Sequence, residues 1–65
     1  KRFRVVFDSP ESKTAALSGL NFVHDGVSVE KFQGDNVIFV RVETAGTYSL
    51  EWQGTEVWRF DYSVE

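Results

Sequence analysis

Short polar breaks divide this chain into apolar runs, and their spacing constrains the fold more than any other feature. From Leu20 onward the polar breaks contain glycine and recur about every seven to ten residues, which is typical of an antiparallel meander. The runs between them are rich in β-branched and aromatic residues, which favour strands. The sequence therefore predicts a sheet whose consecutive strands pair through tight turns.

The first segment predicts one further strand. From Arg2 to Asp8, the apolar residues Phe3, Val5 and Phe7 alternate with mainly polar ones. This period of two is the pattern of a half-buried strand. We expect the three apolar side chains to face the core.

A helix is predicted directly after this strand. Ser9 is a good N-cap residue, and Pro10 suits the first helical position. The following residues continue the pattern as far as Ser18, and Gly19 is placed to end the helix in the left-handed conformation. We therefore predict a helix over 10–18.

Four turns join the remaining predicted strands. Asp25-Gly26 favours a two-residue type I′ hairpin that places Phe22 opposite Val29. We expect the later turns to lie at 33–37, with Asn36 at positive φ, and at 44–46 and 53–55. The predicted cross-strand partners are Val42 with Tyr48, Val40 with Leu50, Ile38 with Trp52, Leu50 with Trp58, and Tyr48 with Phe60.

These pairings predict which face of the sheet is buried. The interior is expected to hold Tyr48, Leu50, Trp52, Trp58, Phe60 and Tyr62. Val29 and Phe32 fall out of phase, which predicts a β-bulge near Glu30 and Lys31.

The fold class predicted from this order is α+β, with one short helix packed on an antiparallel meander sheet, in the order β-α-β-β-β-β-β. A small all-β barrel is the alternative, because six strands with aromatic interiors and glycine turns are compatible with closure. The length of 65 residues predicts a single domain over 1–65.

Composition narrows the classes of function. The chain has no cysteine, so disulfides and thiolate metal sites are excluded and the apolar core must supply the stability. No apolar run is long enough to span a bilayer, so a soluble protein is expected, with a cytoplasmic location favoured. Neither a cofactor motif nor a cluster of metal ligands is found in the sequence, so none is predicted.

The charge pattern bears on nucleic-acid binding. A net charge of −3 argues against a general affinity for phosphates. Lys1, Arg2 and Arg4 nevertheless place three positive charges in the first four residues. They form either a basic arm or the solubilising outer face of a strand.

The residues that favour catalysis are few. His24 beside Asp25 is the one candidate acid/base pair, but we expect His24 to flank a turn in solvent, and no serine lies in a nucleophile elbow. Glu43 and Glu51 lie on the predicted wet face, where arginines neutralise them. The protein is therefore predicted not to be an enzyme.

Two short resemblances are visible. The segment from Thr44 to Trp52 resembles the tyrosine-corner region of immunoglobulin-like sandwiches, although such domains have about seven strands in about 100 residues. The element order resembles that of cystatin-type inhibitors, but the Q-x-V-x-G loop of that family is missing. Neither resemblance assigns the chain to a family.

One feature is not explained by the predicted core. The outer face of the sheet carries apolar and arginine side chains, a composition enriched at protein interfaces. The leading hypothesis is therefore a non-enzymatic protein-binding module, of the accessory or inhibitory kind that phages and bacteria encode. The alternatives are nucleic-acid binding through the basic arm and a self-assembling structural subunit, including a homodimer. The predicted contact residues are Val37, Phe39, Arg41, Val57 and Arg59.

Overall fold

The computed structural model describes residues 1–64 of the chain. One helix and seven strands form within this range. The elements are β1 (Arg2–Val6), α1 (Pro10–Leu17), β2 (Leu20–His24), β3 (Val27–Val29), β4 (Phe32–Gln33), β5 (Val37–Arg41), β6 (Gly46–Trp52) and β7 (Thr55–Tyr62).

The α+β class is confirmed, but the strands form two antiparallel sheets and not one meander. Sheet A has the strand order β1-β5-β4, and sheet B has the order β3-β2-β6-β7. The sheets do not close into the barrel that was the alternative. The chain crosses between them three times, first through helix α1, then at Glu30 and Lys31, and last between Arg41 and Gly46. The predicted bulge at Glu30 and Lys31 is therefore wrong, because the change of phase there marks a change of sheet.

The predicted hairpin between the strands on either side of 44–46 is also wrong. β5 pairs with β1, which places Val40 opposite Phe3 and Ile38 opposite Val5. Alternation of apolar residues shows which face of a strand is buried but not which strand lies beside it. The buried side chains of β5 therefore face β6 across the core, although the two strands share no hydrogen bonds.

The two hairpins of sheet B, β2–β3 and β6–β7, form as predicted. Phe22 lies opposite Val29, and the turn residues Asp25 and Gly26 have the positive φ values of 49° and 86° that a type I′ turn needs. The β6–β7 hairpin also has the predicted register, with a bulge after Leu50. The predicted pairs Leu50 with Trp58 and Tyr48 with Phe60 are found there. The expected positive φ at Asn36 is not found, and the Asn36 side chain instead donates to the Phe7 carbonyl.

Helix α1 begins as predicted and ends differently. The Ser9 hydroxyl accepts a hydrogen bond from the Ser12 amide, and Pro10 is the first helical residue. Ser18 ends the helix in the right-handed region, and Gly19 does not adopt positive φ. The last turn is instead held by Lys31, whose ammonium donates to the carbonyls of Leu17 at 2.8 Å and Leu20 at 2.5 Å. None of the described residues forms a helix long and apolar enough to cross a membrane.

The core lies between the two sheets. Phe3 of β1 makes edge contacts with Phe22 of β2 at 5.6 Å and with Phe60 of β7 at 5.0 Å between ring centroids. Since these rings come from both sheets, the sheets pack face to face. The buried apolar residues at the centre are Leu20, Phe22, Ile38, Val40, Val42 and Tyr48.

The two tryptophans do not belong to this core, contrary to the prediction. Trp58 is 58% exposed and Trp52 is 38% exposed, whereas Phe60 and Tyr62 of the same predicted face are half-buried. The cause is the unequal size of the sheets, because three strands cannot cover four. Trp52 lies at the end of its strand, where its ring packs closely against the backbone of Gly19.

Tyr48 links the core to the segment between β5 and β6, where the chain crosses from sheet A to sheet B. Its hydroxyl donates a 2.8 Å hydrogen bond to the carbonyl of Thr44, four residues upstream. A tyrosine hydroxyl bonded to nearby upstream backbone is the defining contact of a tyrosine corner. The local resemblance seen in the sequence therefore extends to this contact.

Candidate functional site

The outer face of sheet A gathers arginine and aromatic side chains. Neighbouring residues of a strand point to opposite faces, and Phe3, Val5, Ile38 and Val40 point into the core. Their neighbours on β1 and β5, together with the paired residue of β4, therefore point outward. We call this surface the arginine–phenylalanine face, and it consists of Arg2, Arg4, Val6, Phe32, Val37, Phe39 and Arg41.

Two stacked rings and two guanidinium groups form the centre of this face. Phe32 and Phe39 are cross-strand partners, with ring centroids 5.6 Å apart and planes inclined by 23°. The guanidinium of Arg2 lies 5.2 Å from the Phe39 ring centroid, and that of Arg41 lies 5.1 Å from the Phe32 ring centroid. Both are cation–π contacts, which hold the guanidinium groups close to the rings.

The positive charge of this face has no carboxylate partner among residues 1–64. Neither ion pair found in that range involves Arg2, Arg4 or Arg41. The chain has seven Lys and Arg residues against ten Asp and Glu residues, so four remain against ten outside this face. The molecule is therefore acidic except on one side of sheet A.

The five contact residues predicted from the sequence fall into two groups. Val37, Phe39 and Arg41 lie together on β5 within the arginine–phenylalanine face. Val57 and Arg59 lie on β7 in the other sheet, so the structure does not bring them next to the first group. Val57 is 56% exposed and occupies the irregular position of the β6–β7 pairing.

Arg59 forms an ion pair with Glu56 of its own strand. Its guanidinium donates to both carboxylate oxygens of Glu56, at 3.1 Å and 3.0 Å. The hydrogen bonds from Arg59 and then from the Ser49 hydroxyl hold the pKa of Glu56 below its usual value. The expected neutralisation of Glu51 by an arginine is not found, because Glu51 instead lies near the Asn21 amide.

His24 is held in a structural contact and is less exposed than predicted. Its ring stacks on Tyr48 with centroids 4.2 Å apart, and Nε2 lies 3.0 Å from the Ala45 carbonyl oxygen. The Asp25 carboxylate is 3.4 Å from the same nitrogen and also accepts from the Thr47 amide. These contacts join the β2–β3 turn to the start of β6.

A second surface feature lies between the edges of the two sheets. β1 is an edge strand of sheet A and β7 is an edge strand of sheet B. An open apolar cleft of about 260 Å³ separates them, which we call the β1–β7 cleft. Its apolar lining comes from Phe3, Val42, Trp58, Phe60 and Tyr62, and Lys1 and Arg2 lie at the same site.

Sequence reasoning missed three contributors to these surfaces. Phe32 was expected to share a face with Val29 through a bulge near Glu30 and Lys31, Arg2 was assigned to a basic arm or a solubilising strand face, and Trp58 was assigned to the core. The alternation of Arg2 with the core residue Phe3 was visible in the sequence, whereas Trp58 shares its strand face with Phe60 and Tyr62. The pairing of β1 with β5, which places Arg2 near Phe39, has no local signal.

No group of three or more His, Asp or Glu side chains able to hold a metal ion is present in the part of the chain that the structure describes. The comparisons with protein-family models, with curated proteins and with solved structures gave no match. The fold and surfaces define a small α+β protein with two packed antiparallel sheets and one basic aromatic face.

Proposed function

We propose that this protein is a non-enzymatic module that docks onto another protein through the arginine–phenylalanine face. The observation that carries the proposal is that three arginines share one face of an acidic molecule without a carboxylate partner among residues 1–64. Arginine and aromatic residues are enriched where proteins bind one another. The partner segment that fits this surface is acidic.

The packing on this face supports an acidic protein partner in particular. Arg2 and Arg41 lie over Phe39 and Phe32, so these guanidinium groups occupy positions that a stacked base would need. A guanidinium held at a ring also loses less side-chain freedom on binding a carboxylate than a free one does. The site therefore suits carboxylates better than bases.

Binding of single-stranded nucleic acid is the second candidate, and the stacked pair of Phe32 and Phe39 is the observation that favours it. Stacked aromatic residues between arginines are a common platform for bases. An oligothymidylate titration separates the candidates. Saturable binding at low salt that is lost in Phe39→Ala would favour nucleic acid over protein.

The test of the proposal compares two variants with the same net charge. Arg41→Thr removes a charge from the arginine–phenylalanine face, and Arg59→Thr removes one from sheet B. We expect NMR titration with a blocked acidic peptide of alternating Glu and Val to show binding that Arg41→Thr weakens about threefold, the size of one exposed ion pair. Arg59→Thr should bind as the parent protein does. Absence of binding, or equal loss in both variants, would contradict the proposal.

A second measurement addresses the apolar part of the surface. Phe39→Asp reverses the character of the face, and Val57→Asp introduces the same charge on the other sheet. Both positions lie outside the buried core, so both variants are expected to fold. Loss of peptide binding in Phe39→Asp alone would place the contact on sheet A.

A further inference from the structure

We propose that the free edge of β1 accepts an extended segment of the partner protein as a fourth, antiparallel strand of sheet A. The segment has acidic side chains on one face and apolar side chains on the other. This inference rests on the proposed function and specifies how the partner is bound. Three observations carry it, namely the free backbone edge, the β1–β7 cleft and the unpartnered arginines.

The backbone groups of β1 alternate between a bonded and a free edge. The Lys1 carbonyl accepts from the Val42 amide, and the Phe7 amide donates to the Asn36 carbonyl. In an antiparallel ladder the bonded residues alternate, so the odd-numbered residues of β1 bond to β5. The N–H and C=O groups of Arg2, Arg4 and Val6 therefore point away from β5, toward the open edge.

The position beside this edge lies above β7. Phe3 contacts Phe22 on β2 and Phe60 on β7, and β6 lies between those two strands. β1 therefore crosses above β6. Since packed sheets keep their strands roughly aligned, a strand added beside β1 lies above β7. That is where Trp58 is 58% exposed and where the β1–β7 cleft opens.

The two faces of the added strand meet different surfaces. Its inward side chains enter a cleft whose lining is almost entirely apolar, so they must be apolar. Its outward side chains lie beside Arg2 and Arg4, so acidic residues are complementary there. This charge complementarity selects a partner segment over a second copy of the chain as the occupant. The result is strand addition with a defined alternation of side chains.

Within residues 1–64, the opposite edge of sheet A, at β4, has different surroundings. There the crossing at Glu30 and Lys31 joins β3 to β4, and the Lys31 ammonium is bonded to two carbonyls near the end of α1. The side chain of Lys13 is buried and donates to Gln33 at 2.7 Å. The surroundings of β4 are therefore polar, whereas the β1 edge borders an apolar cleft.

Backbone methylation of the peptide tests the strand addition directly. In an antiparallel pair with β1, the residues opposite Arg2 and Arg4 form the hydrogen bonds, and these are the acidic residues of the peptide. Methylating the amide nitrogens of its Glu residues should weaken binding about tenfold or more, and methylating those of its Val residues should not. Equal effects of the two methylation patterns would overturn the strand pairing. Binding of the unmethylated peptide with the predicted loss in Arg41→Thr would then still support the proposed function.

Fluorescence and charge reversal give two further readouts. In a Trp52→Phe background the remaining emission comes from Trp58, and strand addition should shift it to shorter wavelength; an unchanged spectrum at saturation would overturn the placement. Trp58→Ala should weaken peptide binding, whereas Val57→Ala should not.

An Arg2→Glu, Arg4→Glu double variant should bind a Lys–Val peptide in place of the Glu–Val peptide. A concentration-dependent dimer that blocks peptide binding would show that a second copy occupies the edge, which contradicts the proposal.

Discussion

Arg2 of β1 lies directly opposite Arg41 of β5, so one cross-strand pair of sheet A holds two like charges. Like charges in this position destabilise a sheet by roughly 0.2–1 kcal/mol. Each guanidinium instead lies near an aromatic ring on the adjacent strand, Arg2 at Phe39 and Arg41 at Phe32. Cation–π contacts at exposed sites contribute about 0.5–1 kcal/mol each, so they offset the repulsion.

The Arg2–Arg41 pair predicts how the free energy of unfolding changes with salt concentration. Added salt screens the repulsion between Arg2 and Arg41, so the free energy of unfolding of Arg41→Thr should gain less from salt than that of the parent protein. Arg59→Thr has the same net charge but loses the attraction to Glu56, and it should gain more than the parent. Urea titrations at low and high NaCl measure both differences. The same response in both variants would show that the salt effect does not come from the Arg2–Arg41 and Glu56–Arg59 pairs.

Removal of the Tyr48 hydroxyl is expected to lower the stability of the fold. Tyr48→Phe keeps the buried ring but removes the hydrogen bond to the Thr44 carbonyl, which should lower the free energy of unfolding by about 1 kcal/mol. Tyr62→Phe is the matched control, because no hydrogen bond of the Tyr62 hydroxyl is found within residues 1–64. Equal stability of both variants would show that this contact does not stabilise the crossing.

The sequence was sufficient for local structure and insufficient for strand order. The Ser9 cap, the Asp25-Gly26 hairpin and the β6–β7 register follow from neighbouring residues, and each was predicted. The pairing of β1 with β5 joins distant segments, and an alternating strand satisfies several arrangements equally well. The outer-face residues Phe39 and Arg41 were therefore identified, but Arg59 was assigned to the same patch by a strand order that does not occur.

Removal of the Lys31 ammonium is expected to destabilise the end of helix α1. Lys31→Met keeps the length of the side chain but leaves the carbonyls of Leu17 and Leu20 without their donor. Hydrogen bonds from charged groups contribute about 1.5–3 kcal/mol, so thermal unfolding should show a loss of about 2 kcal/mol. Lys1→Met, whose ammonium lies 5.9 Å from the Tyr62 ring centroid, should lose less. A larger loss in the control would contradict the assigned role of Lys31.

Two glycines at positive φ predict different costs for the same methyl group. At Gly46, with φ +141°, an added Cβ would collide with the Asp25 carboxylate and the His24 ring, whereas at Gly54, with φ +84°, it would meet nothing within 4 Å. Gly54→Ala should therefore cost about 1 kcal/mol from backbone strain alone, and Gly46→Ala about 2 kcal/mol more. Urea unfolding of the two variants measures the difference, and equal costs would contradict the crowding at Gly46.

The Glu56–Arg59 pair predicts that the stability of the fold decreases at acid pH. The folded pKa of Glu56 is lowered, so this pair stabilises the fold above the usual pKa of a glutamate. The contribution is lost as pH falls through the lowered folded pKa. An NMR titration should show Glu56 titrating below its ordinary pKa, and Arg59→Gln should raise that midpoint. An unchanged midpoint in the variant would show that Arg59 is not the main cause.

The pairing of β1 with β5 has a consequence for synthesis of the chain. β1 leaves the ribosome before β5, its hydrogen-bonded neighbour in sheet A, has been made, because β5 lies in the second half of the sequence. Until then both edges of β1 are open to other strands, and of sheet B only the β2–β3 hairpin has been made. Assembly of the nascent protein therefore waits for β5, and during that interval β1 is the segment most exposed to wrong pairing.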